Sequence, residues 1–288
     1  MYAKFRNRLG ALLWIENTRP EVSFDLSILA SLLQLLSISE ILYINEVILE
    51  VLAEPDRSYF IPRLPADTPC YVQAVLDASL ASRHDQSSQG ARAIGLTTRD
   101  SDIFCPIDIN SRKVRRKGSS SFDVEFLTLL DTTDMAYVVG LLHEELEYSV
   151  RPSLAKRVLM EIEGYKLPEK DTKTTIVIDT DAKDSVERIY SLKSSLDLSK
   201  RRRIDVADCQ EMLEYADIAE YRHICGATNP MDVLTKKYGR LGISKEKAAY
   251  RRFLQLAYSG KYVADVTAVE RSMVNKNVRW CHCFYCSN

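Results

Sequence analysis

A change in the spacing of apolar residues near position 70 constrains this fold more than any other feature of the chain. Before that point, residues 1–52 carry apolar side chains at helical spacing, with a dense run of leucines at 32–36. After it, three short apolar runs follow one another between clusters of Ser, Gly and Asp, as successive strands do. We therefore predict a helical segment followed by a β-meander, with strands at 71–76, 91–98 and 103–109.

Four prolines lie between the two patterns, where repeated proline favours extended chain and opposes helix. They are Pro55, Pro62, Pro65 and Pro69. We interpret 53–69 as a linker, 70–238 as one domain, and 239–288 as a helical segment that continues into a disordered tail. A chain of 288 residues with 46% hydrophobic content is long enough to bury one large core.

Helical and strand-like segments alternate after residue 120. The first helix is predicted over 121–146, with Ser120 and Asp123 as a capping pair at its start. The order of the elements predicts an α/β fold whose mixed sheet carries helices on both faces. The remaining predictions are a helix near 153–163, a strand at 174–178, helices at 184–196 and 204–215, a strand at 218–225 and a short helix at 230–237.

Composition limits the class of protein. The seven cysteines are scattered along a chain without a cleavable signal peptide, which argues against a disulfide framework and for a reducing compartment. The longest apolar stretch, 28–44, is interrupted by polar residues and favours amphipathic helices over a membrane span. We therefore expect a cytoplasmic or nuclear protein without a membrane partner. The cysteines and His282 within 281–286 lack a second spaced ligand pair, which disfavours a zinc site there.

Four carboxylates stand where a regular element meets a loop or opens a helix: Asp77, Glu125, Asp181 and Asp232. Asp77 ends the first apolar strand, and Glu125 lies on the same helical stripe as Phe122, so both need a partner when buried. Because the four are distant in sequence, only folding can bring them together. Their mutual repulsion would then require a cation, and divalent metal bound by oxygen is the usual solution.

Each acid also has a structural explanation. Asp77 can be an ordinary acid in a turn, Glu125 can pair with an arginine, and Asp232 would be favoured in a first helical turn by the helix dipole alone. At the fourth strand, Asp179 competes with Asp181, since the two residues share one face by alternation. We favour Asp181 because the strand should end between them.

Two basic runs stand out against a net charge of −1. The second of them spans 200–203. The first, together with the serines that follow it, could contact a nucleic-acid backbone. A solvated hairpin with helix-capping serines, and a basic turn before a helix, agree with the sequence equally well. The first run consists of Arg112, Lys113, Arg115, Arg116 and Lys117, and the serines that follow it are Ser119 and Ser120.

The acids lie in four motifs: Val75-Leu-Asp77-Ala-Ser, Ser111-Arg-Lys with Ser119-Ser-Ser-Phe-Asp-Val-Glu125, Asp179-Thr-Asp181-Ala-Lys-Asp-Ser and Met231-Asp232-Val-Leu-Thr-Lys236. Together they resemble the ribonuclease H domain of LTR-retrotransposon polyproteins, especially the copia type, over 71–237. The stretch from Phe5 to Trp14, with Thr18-Arg-Pro, is similar to the end of the reverse transcriptase domain of such elements. The polymerase signature Tyr-x-Asp-Asp is absent, so reverse transcription would need an upstream domain or a partner.

The resemblance implies a ribonuclease H-like mixed five-stranded sheet and a metal-dependent endonuclease that cleaves the RNA strand of RNA·DNA hybrids. It implies that Asp77 bridges two Mg²⁺ ions, for which Mn²⁺ can substitute. Glu125 and Asp181 would hold the ion near the leaving oxygen, and Asp232 the ion that activates water. Two ions about 3.5–4 Å apart can stabilise both the attacking oxygen and the leaving oxygen of a phosphodiester displacement. The alternative is a catalytically decayed module of the same fold that only binds nucleic acid or serves as a structural domain.

Overall fold

The computed structural model describes residues 2–33, 36–66, 68–83, 85–99, 101–148, 174–191, 197–236 and 248–267. The helix predicted near 153–163 and the cysteines at 281–286 lie outside the described residues. Within the described ranges, no helix is both long and apolar enough to cross a bilayer.

Three helices fold the N-terminal segment into a unit with its own core: α1 (Tyr2–Ile15), α2 (Ser23–Ser31) and α3 (Ile38–Ala53). Pro20 opens a short 3-10 turn between α1 and α2, because its fixed φ suits a first helical turn. Ser37 and Glu40 form a reciprocal capping box at the start of α3. Leu9 and Leu26 are buried in the shared core, so the predicted N-terminal helical segment is confirmed as a packed unit.

Five strands form one sheet in the order β3-β2-β1-β4-β5. They are β1 (Cys70–Ser79), β2 (Gln89–Thr98), β3 (Cys105–Lys113), β4 (Ile176–Thr180) and β5 (Glu220–His223). The first three strands pair antiparallel as a meander, whereas β4 runs parallel to both β1 and β5. The predicted α/β fold with a mixed five-stranded sheet is confirmed, although β4 begins slightly later than its β-branched run indicates.

Helices cover both faces of the sheet, as the element order predicts. One face carries α4 (Ser121–Tyr148), α5 (Lys183–Ile189) and α6 (Lys200–Glu214). The opposite face carries the short α7 (Asp232–Thr235) and α8 (Ala248–Ser259). Alternate residues of β1 divide between these two layers: Leu76 belongs to the core under α4, and Val75 to the core under α8.

Helix α8 belongs to the core of the sheet and is not a tail that follows the domain. Phe253, Leu256 and Ala257 are fully buried in the second core. Directly after α8, Gly260 adopts a φ of +60° against Pro62, a conformation that glycine accepts without strain. The boundary expected at residue 238 therefore does not separate α8 from the sheet. An amphipathic pattern predicts that a helix has a buried face but not which surface it covers.

The second basic run forms the first turn of α6 and does not precede the helix, contrary to the sequence-based expectation. Ser199 caps α6 by accepting a hydrogen bond from the amide of Arg202. The Arg202 side chain is buried and pairs with Asp123 and Asp205. Arg202, one of the four basic residues of this run, therefore has a structural role in an ion pair between α6 and α4. Helix α5 also ends earlier than predicted, at Ile189.

Candidate active site

The parallel register of β1 and β4 brings Asp77 and Asp181 together. Leu76 of β1 lies opposite Thr180 of β4 in this pairing. The residues that follow them, Asp77 and Asp181, therefore stand at the same edge of the sheet. Asp77 is only 5% exposed, and Asp181 is half-buried just after β4. Burial, and then the charge of Asp181, raise the pKa of Asp77 to about 8, while a hydrogen bond from Thr235 opposes the rise. The two carboxylates therefore repel each other at a poorly hydrated position.

Helix α7 brings Asp232 to the same edge. The turn before it is held by the fully buried Asn229, which donates to the Leu76 carbonyl at 2.9 Å and accepts from the Met231 amide at 3.0 Å. Burial raises the pKa of Asp181, hydrogen bonds from the backbone and from Asn229 oppose this, and the charge of Asp232 adds to the rise. A third acid thus acts on the same electrostatic site.

Glu125 reaches the site from the first turns of α4. This helix lies so close to β2 that a Cβ atom at Gly90 would stand 2.6 Å from Thr128 Oγ1, and glycine permits that approach. Glu125 is half-buried. Burial is the largest cause of its raised pKa, followed by the charges of Asp181 and Asp184. Its carboxylate therefore lies within the field of the other acids.

Asp179 has the opposite environment. It is fully buried and accepts hydrogen bonds from Arg222 at 2.6 and 2.9 Å, from Gln73 at 2.7 Å and from the Tyr262 hydroxyl at 3.0 Å. The guanidinium neutralises its charge, and these bonds occupy both of its oxygens. Asp179 is therefore a structural anchor between strands, and Asp181 is the acid of this motif that lies beside Asp77.

Protein groups hold the site acids in the present conformation. The Thr235 hydroxyl donates to Asp77, and Lys236 Nζ donates to Asp232. Among the described residues, no three His, Cys, Asp or Glu side chains converge closely enough to hold a metal ion as they stand. The donor set nonetheless suits a hard divalent cation, because it consists of carboxylate oxygens. The ammonium of Lys236 lowers the pKa of both Asp77 and Asp181, so the site already attracts positive charge.

The basic run after β3 is exposed but partly paired. Lys113 lies 2.6 Å from Asp85, and Arg116 lies 3.8 Å from Asp205 in α6. These are surface ion pairs, which contribute little to stability and exchange readily with other anions. The exposed basic residues of this run are Arg112, Lys113, Arg115, Arg116 and Lys117. Their contact with nucleic acid stays a prediction.

The serines that follow cap α4. The Asp123 amide donates to Ser120 Oγ at 3.1 Å, and the Asp123 carboxylate accepts from the Ser119 amide at 2.9 Å. The predicted capping pair is thereby confirmed. Arg202 pairs with the same Asp123 at 2.9 Å, which joins the first turn of α4 to the first turn of α6. Asp205 of α6 also lies 3.8 Å from Arg116 of the first basic run. The two basic runs are therefore neighbours in space.

Two polar residues that shape the site were not singled out by the sequence. Asn229 and Thr235 flank Asp232 and are both fully buried. A signal for them exists: a polar residue stands at each end of a short apolar stretch that contains an acid. Buried polar groups need hydrogen-bond partners, and here the partners belong to β1.

Comparison with known proteins gives structural similarity and no sequence match. No family model and no curated protein matches the chain. The chain is similar to RNase H1 from the halophilic archaeon Halobacterium salinarum NRC-1, with a TM-score of 0.31 and 16% identity over 57% of this chain and 93% of that one. It is also similar to the PFV RNase H domain, with a TM-score of 0.30 and 15% identity over 69% and 98%. Both scores are low, so strand order and strand direction define the fold here.

Proposed function

We propose that this chain is a metal-dependent ribonuclease H that cleaves the RNA strand of RNA·DNA hybrids. One observation carries the proposal. Acids from four separate elements interact electrostatically at one edge of the sheet: Asp77, Glu125, Asp181 and Asp232. Gathering like charges at a partly buried position opposes folding. Perturbed carboxylates of this kind are typical of functional sites.

The four acids would hold two Mg²⁺ ions, or Mn²⁺ in their place. Bound divalent metal supplies Lewis-acid activation of a phosphate and of an attacking water. The chain's own residues would orient the ligands. The Thr235 hydroxyl fixes the Asp77 carboxylate, and Asn229 holds the turn that presents Asp232. Lys236 would exchange its contact with Asp232 for one with bulk solvent or with a substrate phosphate.

The substrate is proposed from the surface beside the acids. Exposed cations such as Arg115 and Lys117 are suited to phosphate oxygens, which carry no sequence information. Recognition of RNA paired to DNA would then depend on groove shape and on 2′-hydroxyl contacts. We therefore expect cleavage without base preference and strong dependence of binding on salt.

Cleavage of a labelled hybrid tests the proposal. The full chain should nick the RNA strand in Mg²⁺ and leave 5′-phosphate and 3′-hydroxyl ends, and Asp77→Asn should abolish this activity. Asp56→Asn is the matched control, because Asp56 is an exposed acid of the linker. A correctly folded protein that leaves hybrids intact across a range of Mg²⁺ and Mn²⁺ concentrations is not this enzyme.

A non-catalytic module of the same fold is the second candidate. It is favoured by the present side-chain positions, in which Asp77 and Asp232 are bonded to protein groups and no three acids among the described residues converge on one ion. Such a module should bind hybrids with strong salt dependence and never cut them. Replacing Arg115 and Lys117 with Ala should lower that salt dependence, whereas Lys4→Ala, on α1, should not.

The N-terminal unit is proposed to adjoin a reverse transcriptase domain within a retrotransposon polyprotein. Support comes from the resemblance of the stretch from Phe5 to Trp14 to the end of such a domain. Co-purification of the full chain with a copia-type reverse transcriptase domain tests this. Absence of a complex at micromolar concentrations of both proteins would exclude a stable pairing.

A further inference from the structure

A series of hydrogen bonds begins on α2 of the N-terminal unit, at a partly buried position, and becomes buried where it enters the sheet. Arg83, in the loop between β1 and β2, donates from Nη1 to Ser27 Oγ at 2.8 Å, and from Nη2 to Ser31 Oγ at 2.8 Å and the Ser27 carbonyl at 3.0 Å. Arg83 is only 4% exposed. A guanidinium this deeply buried is unfavourable unless its donors are satisfied. The N-terminal unit supplies three of the acceptors.

From Arg83 the series crosses two strands of the sheet. Its Nη1 also donates to Gln89 Oε1 at 2.6 Å, and Gln89 Nε2 donates to Ser111 Oγ at 2.7 Å. The Ser111 hydroxyl then donates to the Leu234 carbonyl in α7. Gln89 and Ser111 are buried. From Arg83 to Leu234 each group donates to the next one along the series, and aligned bonds of this kind strengthen one another.

The last bond of the series anchors α7, a helix too short to be stable by itself. Helix α7 is a single turn, and an isolated turn is not stable in water. The carbonyl of Leu234 is one of those that such a short helix leaves without an internal partner. The next residue, Thr235, donates to Asp77. The bond at Leu234 therefore fixes the backbone between Asp232 and the hydroxyl that orients Asp77.

We propose that Arg83, Gln89 and Ser111 are positioning residues that set α7 relative to Asp77, and that the N-terminal unit is part of the active protein because α2 anchors the series. The consequence for catalysis rests on the proposed ribonuclease H function. The position of α7 does not, and it can be measured without substrate or metal.

Amide hydrogen exchange across 231–236 in the full chain measures that position. Loss of one hydrogen bond in Ser111→Ala should accelerate exchange in α7 by about 2- to 10-fold. Ser185→Ala is the matched control, because Ser185 is fully buried and its hydroxyl has no hydrogen-bond partner among the described residues. It removes the same group without interrupting the series, so exchange in α7 should not change.

A variant of α2 tests whether the contacts of Arg83 with the N-terminal unit affect the position of α7. Ser27→Ala with Ser31→Ala removes two side-chain acceptors of Arg83 and leaves β2, β3 and α7 untouched. It should accelerate exchange in α7 in the same direction as Ser111→Ala. This variant also decides the matter if Ser111→Ala fails to fold, since the changes lie in a helix outside the sheet.

Cleavage supplies a second readout. Both variants should raise the Mg²⁺ concentration needed for half-maximal nicking by about 10-fold, the lower end of the effect of outer hydrogen-bond partners on metal sites. The KM for hybrid should not change, because the basic run is unaltered. A merely destabilised protein would lose activity in proportion to its folded fraction, with the same Mg²⁺ dependence.

The outcomes separate the two proposals. Unchanged exchange in α7 of both folded variants overturns the positioning role, whether or not the protein cuts hybrids. Accelerated exchange in variants of a protein that never cuts hybrids supports the positioning role and overturns the proposed function. Accelerated exchange with unchanged Mg²⁺ dependence limits the series to folding and overturns its catalytic part.

Discussion

Arg222 on β5 donates two hydrogen bonds to Asp179 on β4, at 2.6 and 2.9 Å. The two residues are directly opposite in the parallel register, so the ion pair joins neighbouring strands inside the sheet. Asp181, two residues further along, lies beside other carboxylates instead. Two acids of one short motif therefore have opposite electrostatic environments.

This contrast predicts opposite phenotypes for the same substitution. Asp179→Asn should lower the free energy of unfolding by about 3–5 kcal/mol, because it leaves Arg222 buried without a counter-charge. Asp181→Asn should leave stability unchanged or raise it, because it removes a repelled charge, and it should abolish cleavage. Urea unfolding and hybrid nicking measure the two effects. Full stability in Asp179→Asn would contradict the assignment.

The raised pKa values of Asp77, Asp181 and Glu125 predict a dependence of stability on pH. The folded state binds more protons than the unfolded state, whose carboxyls titrate at about pH 4, so the free energy of unfolding falls as pH rises. Without divalent metal, the contribution of Asp77 is complete below that pH and is lost as pH rises through about 8. Thermal unfolding in a chelator measures this loss.

Asp77→Asn provides the control for that measurement. It should flatten the decline of stability with pH and stabilise the metal-free protein at the alkaline end. Mg²⁺ should raise the melting temperature of the unmodified chain at pH 8, because it binds only the folded state, and should have a smaller effect on Asp77→Asn. An identical pH profile for both proteins would show that Asp77 is not the buried acid responsible.

The hydroxyl of Thr235 predicts a selective effect on metal use. Thr235→Val removes the donor to Asp77 and keeps the shape of a fully buried side chain, so activity at limiting Mg²⁺ should fall by about 10- to 100-fold. Thr235→Ser keeps the donor and should retain most activity. Thr132→Val is the matched control: Thr132 is fully buried and donates to Thr128 within α4. Equal losses in both valine variants would indicate a packing effect.

Helix α8 predicts that the domain extends past residue 238. Phe253→Ala removes a fully buried ring from the second core and should lower the free energy of unfolding by about 3–5 kcal/mol. Gln255→Ala, on the exposed side of the same helix, should change it little. Equal and small effects in urea unfolding would show that α8 is dispensable for the sheet.

Local patterns predicted most of the elements correctly. The meander β1 to β3 and the long helix α4 follow from the spacing of apolar residues, because strand and helix periodicities are properties of a few consecutive residues. The same patterns misjudged α8, which reads as a helix but gives no sign of the surface it covers. The same patterns also placed the second basic run before α6. In the structure, Ser199 accepts a hydrogen bond from the Arg202 amide and so begins the helix before the basic run. The sequence does not show that the Ser199 side chain faces this amide.

By itself, the sequence determined the order of the elements, the mixed five-stranded sheet and the four acids worth testing. Only the tertiary structure distinguished Asp181 from Asp179, because the deciding cation, Arg222, is 43 residues away along the chain. Only the tertiary structure connected α2 to α7 as well, through contacts between residues as far as 123 positions apart. Charge and hydrogen bonding depend on distance in space, and a sequence reports only distance along the chain.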